Sequence, residues 1–397
     1  DIKVTANFTL NAGLRYEFVT APIEVNGKTS NIRDLSPERL RTVRPDTMDV
    51  GGPYMKNPSL KNFAPRVGVS WDPFGTGKTA LRAGGGVYFE QILPYLYWFE
   101  LANAPPFRSG SSLLRQNVAI DFPDAYTTQR SILISGAGGS LTQVDGKEYD
   151  PKQPTVYKWS MDIQQQIGSD TTVDIGYAGT RGVHLFRQVQ FNTTPSEIRN
   201  GRRYYLPNPY MSRMRWSLLD AESDYHGLRI GVTKRLSRGL QLQSSFTFSK
   251  SIDDWSTWVR ATDLTSSNRD GYGTEKAHGL SGFDVRRVFY TNFVYDLPGE
   301  KWNGAIGRIF GGWNLSGILR FQDGFPITLS AEQPRSGTLQ LQQVGGSTLD
   351  LAPGADQKKA IHPRNPNQYF DTSVFRYPTP FYQGNLGKNT MTAPGIA

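Results

Sequence analysis

The chain has 397 residues with 41 Gly, 25 Pro, 8 Trp, 19 Tyr, 21 Phe, only 6 Met and no Cys, and carries a formal charge of +9. The missing cysteines exclude a disulfide scaffold, zinc fingers and thiol catalysis. The positive charge is scattered rather than gathered in a basic run, so solvated loops and a polar interior explain it better than a nucleic-acid surface.

Alternation and turn chemistry place strands, in chain order, near residues 4–19, 65–72, 79–91, 155–168, 171–178, 225–235, 239–249, 284–297 and 312–330. The second and third flank DPFGTGKTALRAGGG, whose GTGKT superficially resembles a phosphate-binding loop. That loop needs G-x-x-x-x-G-K-[ST] between a strand and a helix, so that backbone N–H groups can cradle phosphates. Here Asp72 stands where the first Gly belongs. The three glycines after it would each cost a helix about 1 kcal/mol relative to Ala. Val67, Val69 and Trp71 alternate with Arg66, Gly68, Ser70 and Asp72, and Leu81, Ala83, Gly85, Val87 and Phe89 with Arg82, Gly84, Gly86, Tyr88 and Glu90. The expectation is a β-hairpin.

The segment 155–168 shows the clearest two faces. Tyr157, Trp159, Met161, Ile163 and Ile167 lie on one side and Lys158, Ser160, Asp162, Gln164 and Gln166 on the other, with Gln165 interrupting the apolar set. Leu228, Ile230 and Val232 oppose Gly227, Arg229, Gly231 and Thr233. Leu240, Leu242, Phe246 and Phe248 oppose Gln241, Gln243, Ser245, Thr247 and Ser249, with Ser244 breaking the pattern. Aromatic residues mark many strand ends: Tyr16, Phe18, Trp71, Phe89, Trp159, Tyr177, Phe248, Tyr295 and Trp313. Such residues collect at membrane interfaces.

The links alternate in length. PFGTGK, GSDT, LSRG and the longer GEKWNGAIGRIFGG are short, whereas about 20–64, 92–154, 179–224, 250–283 and 331–397 are long and polar. Long irregular loops are uncommon in compact soluble domains. They are expected of an outer-membrane barrel, with short periplasmic turns on one rim and long extracellular loops on the other. The expected fold is therefore all-β, an antiparallel transmembrane barrel segment of about nine strands in contact with outer-membrane lipid. No run of 18 apolar residues is present, and the start inside a strand pattern without Met leads to the expectation of an excised or incomplete chain.

In order from about residue 7 to about 330, NFTLNAGLRYEF, NFAPRVGVSWDPFGTGKTALRAGGGVYFE, YKWSMDIQQQIGSDTTVDIGYAGTRGVHL, YHGLRIGVTKRLSRGLQLQSSFTFSKSIDD, GFDVRRVFYTNFVYDLPG and GGWNLSGILRFQDGFPITL resemble barrel segments of the Oar-like branch of TonB-dependent outer-membrane receptors. The tail QGNLGKNTMTAPG resembles the stretch before that family's last strands. The resemblance implies a 22-stranded barrel with an N-terminal plug, a preceding carboxypeptidase-regulatory-like domain and a TonB-contacting segment. On this reading residues 1–397 are a partial barrel domain that lacks those N-terminal parts and the final strands. The implied function is a receptor and transporter that captures an extracellular solute with its loops and passes it through the lumen, with the TonB complex as partner. The alternative is a non-transporting adhesin or scaffold, and a soluble all-β carbohydrate-binding protein or enzyme is the contrasting class.

No catalytic site, cofactor site or metal site is expected, and the ligand-binding residues are unknown. His184, His226, His278 and His362 are scattered, with neither H-E-x-x-H nor G-x-S-x-G. GAGGSL at 136–141 and GYGTEK at 271–276 lack the third glycine and the βαβ setting of a dinucleotide loop. Asp253, Asp254, Asp263 and Asp270 offer hard oxygens for Ca²⁺ but not EF-hand spacing. Tyr95, Tyr97, Trp98 and Phe99 suit loop packing or a membrane interface better than a ligand pocket.

Overall fold

The computed structural model describes residues 1–92, 104–108, 124, 127, 142–191, 195–200, 202–205, 208–256, 278–301, 304–331, 347–362, 365, 367–379 and 384–395. Its main sheet is built from β1 (Ile2–Thr5), β2 (Phe8–Tyr16), β3 (Phe63–Trp71), β4 (Thr79–Phe89), β6 (Thr155–Ile167), β7 (Thr171–Gln190), β8 (Met211–Ser237), β9 (Leu240–Asp253), β10 (Arg287–Asp296) and β11 (Asn314–Gln322), hydrogen-bonded in that order. All of these pairings are antiparallel. A further strand, β5 (Thr142–Lys147), pairs in parallel with the start of β8. Because sequence neighbours are also sheet neighbours, links alternate between two rims. One rim holds residues 6–7, 72–78, 168–170, 238–239 and 297–313, and the other holds the long links.

All nine expected strands are present, with three differences in extent. The expected strand 4–19 is a small hairpin, β1 and β2, turned at residues 6–7, because the Asn7 side chain and backbone are both bonded to Asp72 backbone groups in the neighbouring turn. The strands expected at 171–178 and 225–235 run on to Gln190 and back to Met211, so most of the supposed loop 179–224 is strand. Past the bilayer neither face needs to be continuously apolar, and the period-2 signal fades although the ladder continues. The stretch expected as one strand to residue 330 stops at Gln322, and Pro326–Ile327 pairs instead with Met391–Thr392.

GTGKT forms the hairpin turn between β3 and β4. Gly75 and Gly77 take φ of 65° and 70°, where a side chain would be strained. The Asp72 carboxylate accepts from the N–H groups of Phe74 (3.3 Å), Gly75 (3.0 Å) and Gly77 (2.6 Å). The donors a phosphate would need are already occupied, and a strand follows the turn.

The long-link rim also differs from the expected set of irregular loops. Ile32, Leu40, Val43, Met48, Val144, Val189, Phe191, Met211, Met214, Trp216 and Leu218 form one buried cluster joining the first long link to β5 and the outer ends of β7 and β8. Helix α1 (Pro37–Thr42) contributes Leu40; Ser36 caps it by accepting from Arg39 N–H, and Pro37 suits its first turn. Asn208 Nδ2 donates to Leu40 O (2.9 Å) and Val43 O (2.8 Å), bonding two carbonyls at the helix end. Trp216, fully buried, lies against Gly146, where a Cβ would sit 2.1 Å from the indole. Asp145 and Arg215 pair at 2.7 Å inside this layer.

Candidate functional site

Direct pairing across a sheet puts partners on the same face. One row of partners crosses nine strands as Phe8, Trp71, Leu81, Ile163, Ile175, Ile230, Phe246, Phe289 and Phe321. The next row, on the opposite face, reads Thr9, Ser70, Arg82, Asp162, Gly176, Arg229, Thr247, Val288 and Gln322. The first face suits hydrocarbon and the second suits a wet lumen. The apolar face leaves Met161 51%, Val67 56% and Leu14 68% exposed, which in water alone would be a large uncovered patch. Toward the long-link rim it carries Trp159, whose indole lies across Gly179, and Tyr177, whose hydroxyl is 2.7 Å from His226 Nδ1.

The polar face is organised in two bands. Arg229 lies 3.0 Å from Asp174 and 3.6 Å from Asp162, and Arg82 Nη1 donates to Gln164 Oε1 at 3.1 Å. Nearer the long-link rim a row of small and polar residues, Asn11, Gly68, Gly84, Ser160, Ala178, Gly227 and Ser249, leaves the wall thin. There a recess of about 630 Å³ opens, with Arg66, Tyr88, Lys158 and Thr180 in its lining. Arg66 and Lys158 both pair with Gly86, from the strands on either side of β4. Their charged groups lie 4.4 Å and 5.3 Å from the ring centre of Tyr88. The lining also holds one acid, Asp1, but among the described residues neither cation forms an ion pair, so Arg66 and Lys158 give the recess an excess of positive charge. Alternation in the sequence carried this signal for Lys158, but pairing of Arg66 and Lys158 around Tyr88 needed the register.

Outside the wall, burial raises the pKa of Glu148 above the usual carboxylate range, against the opposing N–H of Leu219, which donates to its Oε2 at 2.9 Å. Burial likewise raises Asp284, which accepts from Ser251 N–H. In the short turn after β6, the hydrogen bond from Lys234, helped by Ser237 and Thr171, holds the Asp170 carboxyl far below that range.

Of the four acidic residues that could have offered oxygens to Ca²⁺, the structure describes Asp253 and Asp254, and both are engaged within the protein. Asp253 is buried against the Lys388 ammonium, and Asp254 accepts from Glu222 N–H (2.8 Å) and lies 2.9 Å from His278 Nδ1. Among the described residues no group of three metal-ligating side chains occurs. Asp263, Asp270, Tyr95, Tyr97, Trp98, Phe99, GAGGSL at 136–141 and GYGTEK at 271–276 lie outside the described residues.

An antiparallel wall with one lipid-ready face, one polar face and links sorted by length to two rims defines a membrane-spanning β-barrel protein. The chain matches the family described as "Outer membrane beta barrel domain" over residues 1–397, and it belongs to that family. It is therefore an outer-membrane protein. No curated protein matches its sequence. Among solved structures it is similar to the outer membrane transporter YddB from Escherichia coli, at TM-score 0.41 and 12% identity over 75% of this chain and 33% of that one. It is also similar to the ferripyoverdine receptor of the outer membrane of Pseudomonas aeruginosa, at 0.40 and 11% over 85% and 29%. The FrpB iron transporter from Neisseria meningitidis aligns at 0.35 and 13% over 81% and 31%. The chain thus spans a third or less of the length of these structures.

Proposed function

We propose that this barrel wall belongs to a TonB-dependent receptor and transporter of the Oar-like branch, not to an enzyme. The reading takes residues 1–397 as one part of the barrel domain, with the plug, the TonB-contacting segment and further strands supplied by other parts of the polypeptide. The extracellular layer captures a solute, and the polar face leads it inward. The observation that carries this is the recess with Arg66 and Lys158 around Tyr88, because a wall that only presented loops has no need of two lumenal cations outside any ion pair, against a single acid, Asp1, in the lining. These charges favour a solute bearing a carboxylate, phosphate or other acidic group.

A second reading, a surface protein that only presents its loops, draws support from the buried cluster around Ile32 and Trp216, which makes the extracellular layer a folded unit. The full-length protein distinguishes the two. Cells carrying it are offered radiolabelled ferric citrate, an anionic oligosaccharide and an acidic peptide, with and without an uncoupler. Uptake of one probe that needs the proton-motive force and falls in an Arg66→Gln/Lys158→Gln double variant is the expected result. Surface-displayed, folded wild type with no energised uptake of any probe supports the second reading instead.

A further inference from the structure

On this rim the links at residues 6–7, 72–78, 168–170 and 238–239 are short, but β10 and β11 are joined by residues 297–313. Two neighbouring antiparallel strands need about two to five residues to turn, so the extra chain is not required for the connection. It holds a helix, α2 (Gly304–Phe310), with Gly304 and Gly312 both at φ of 76°. These left-handed glycines let the chain turn sharply into and out of the helix.

Ile306 and Ile309, one helical turn apart, are 59% and 61% exposed. Trp313, 61% exposed, returns to the helix end and donates its indole N–H to Ile309 O at 2.7 Å. Trp313 directly precedes β11 and has the parity of Leu315, Leu319 and Phe321, which line the lipid-facing side of the wall through their pairing with Tyr295, Thr291 and Phe289. The exposed edge of α2 is therefore continuous with a surface already assigned to lipid. Exposed apolar side chains in or beside the other short links reach the same rim: Phe74 in a turn, and Ile167 and Leu236 at the ends of β6 and β8. Arg308, off the edge formed by Ile306 and Ile309, is exposed and has no carboxylate partner among the described residues.

We propose that α2 is an interfacial anchor, lying in the headgroup–acyl boundary of the periplasmic leaflet with Ile306, Ile309 and Trp313 in the lipid and Arg308 toward phospholipid phosphates. Burial of a short apolar edge combined with a basic residue at the phosphate level is the physical basis of such binding. The occupant is phospholipid rather than a second copy or a periplasmic protein, because the edge runs without a break into the lipid-facing wall.

These 397 residues hold no cysteine, so once any thiol elsewhere in the polypeptide is replaced by serine, one introduced thiol gives one labelled position. Ile309→Cys, Arg308→Cys and Thr76→Cys are made in the full-length protein, labelled with an environment-sensitive fluorophore and folded into phosphatidylethanolamine/phosphatidylglycerol vesicles. Only the heat-modifiable, folded fraction is read. A nitroxide placed shallowly on the lipid chains should quench the label at 309 several-fold more than the label at 76, and aqueous iodide should show the reverse order. Ala305→Cys, one turn before Ile309, repeats the reading in case Ile309→Cys folds poorly. Equal iodide access at 309 and 76 overturns the proposal. So does protection at 309 from both quenchers that disappears on dilution of protein in lipid, which would identify a second copy as the occupant.

Discussion

The carboxylate of Asp162 fills the space that a side chain at residue 176 would need: a Cβ on Gly176 would lie 2.2 Å from Asp162 Oδ1. Gly231 stands in the same relation to Asp174, also at 2.2 Å, and Arg229 lies between the two acids. Gly176→Ala should displace the partly exposed Asp162 carboxylate, weaken its approach to Arg229 and cost about 1 kcal/mol, the low end for overpacking because the clashing atom can rotate aside. Gly68→Ala is the control, since its Cβ would meet only ordinary contacts at 3.7 Å and 3.8 Å. The urea midpoint of the folded full-length barrel checks the pair. Equal loss from both substitutions would contradict the account.

Met161 pairs with Ala83 and Tyr177 on the apolar face, and Ser160 pairs with Gly84 and Ala178 on the lumenal one. Met161→Arg places a guanidinium in hydrocarbon at a cost of roughly 2–4 kcal/mol near the midplane. Ser160→Arg enters a wet lumen and should leave the heat-modifiable fraction near that of the wild type. Labels at the two positions separate lipid from mere burial: a lipid-borne quencher should reach 161 and not 160.

The turn from β3 to β4 depends on Asp72 and not on Lys78. Asp72→Ala removes the acceptor for three backbone N–H groups and should cost about 1–2 kcal/mol. Lys78→Ala should stay within about 0.5 kcal/mol of the wild type. Neither the wild type nor the Lys78→Ala variant should bind ATP in a filter assay.

Glu148 should make the extracellular layer respond to pH. Its folded pKa is raised by burial, so between its unfolded and folded values the folded layer holds more protons than the unfolded one. Stability from this group is full below the unfolded pKa and is lost as pH rises through the folded pKa. Protease protection of the layer should therefore fall as pH rises from about 4 toward neutrality. Glu148→Gln keeps an acceptor for Leu219 N–H and should flatten that fall and strengthen the layer at neutral pH.

Lys388 and Asp253, both buried, hold the segment around residue 388 against the end of β9. Lys388→Met leaves a buried carboxylate without its ammonium and should cost about 3–5 kcal/mol, read as new protease cleavage near residue 388. Ca²⁺ should not restore protection, because among the described residues no third ligating side chain joins Asp253 and Asp254.

The sequence by itself determined the wall. Alternation of Tyr157, Trp159, Met161 and Ile163 with Lys158, Ser160, Asp162 and Gln164 is a local property, since each side chain need only face lipid or water. Turn chemistry likewise placed the hairpin at residues 72–78, because the φ values of Gly75 and Gly77 and the reach of the Asp72 carboxylate act within a few residues. The extracellular layer was a different matter. Ile32, Leu40, Val144 and Trp216 look like stray apolar residues in polar links, and only the fold brings them together, through parallel pairing of β5 with the outer end of β8. The outer halves of β7 and β8 were missed for the same reason: beyond the bilayer their faces are set by contacts with distant segments, and no period in the local sequence records such contacts. The lumenal recess also required tertiary structure. Arg66 and Lys158 are far apart in sequence and meet around Tyr88 because the registers of β3, β4 and β6 place both of them opposite Gly86, where the absence of a side chain leaves the space.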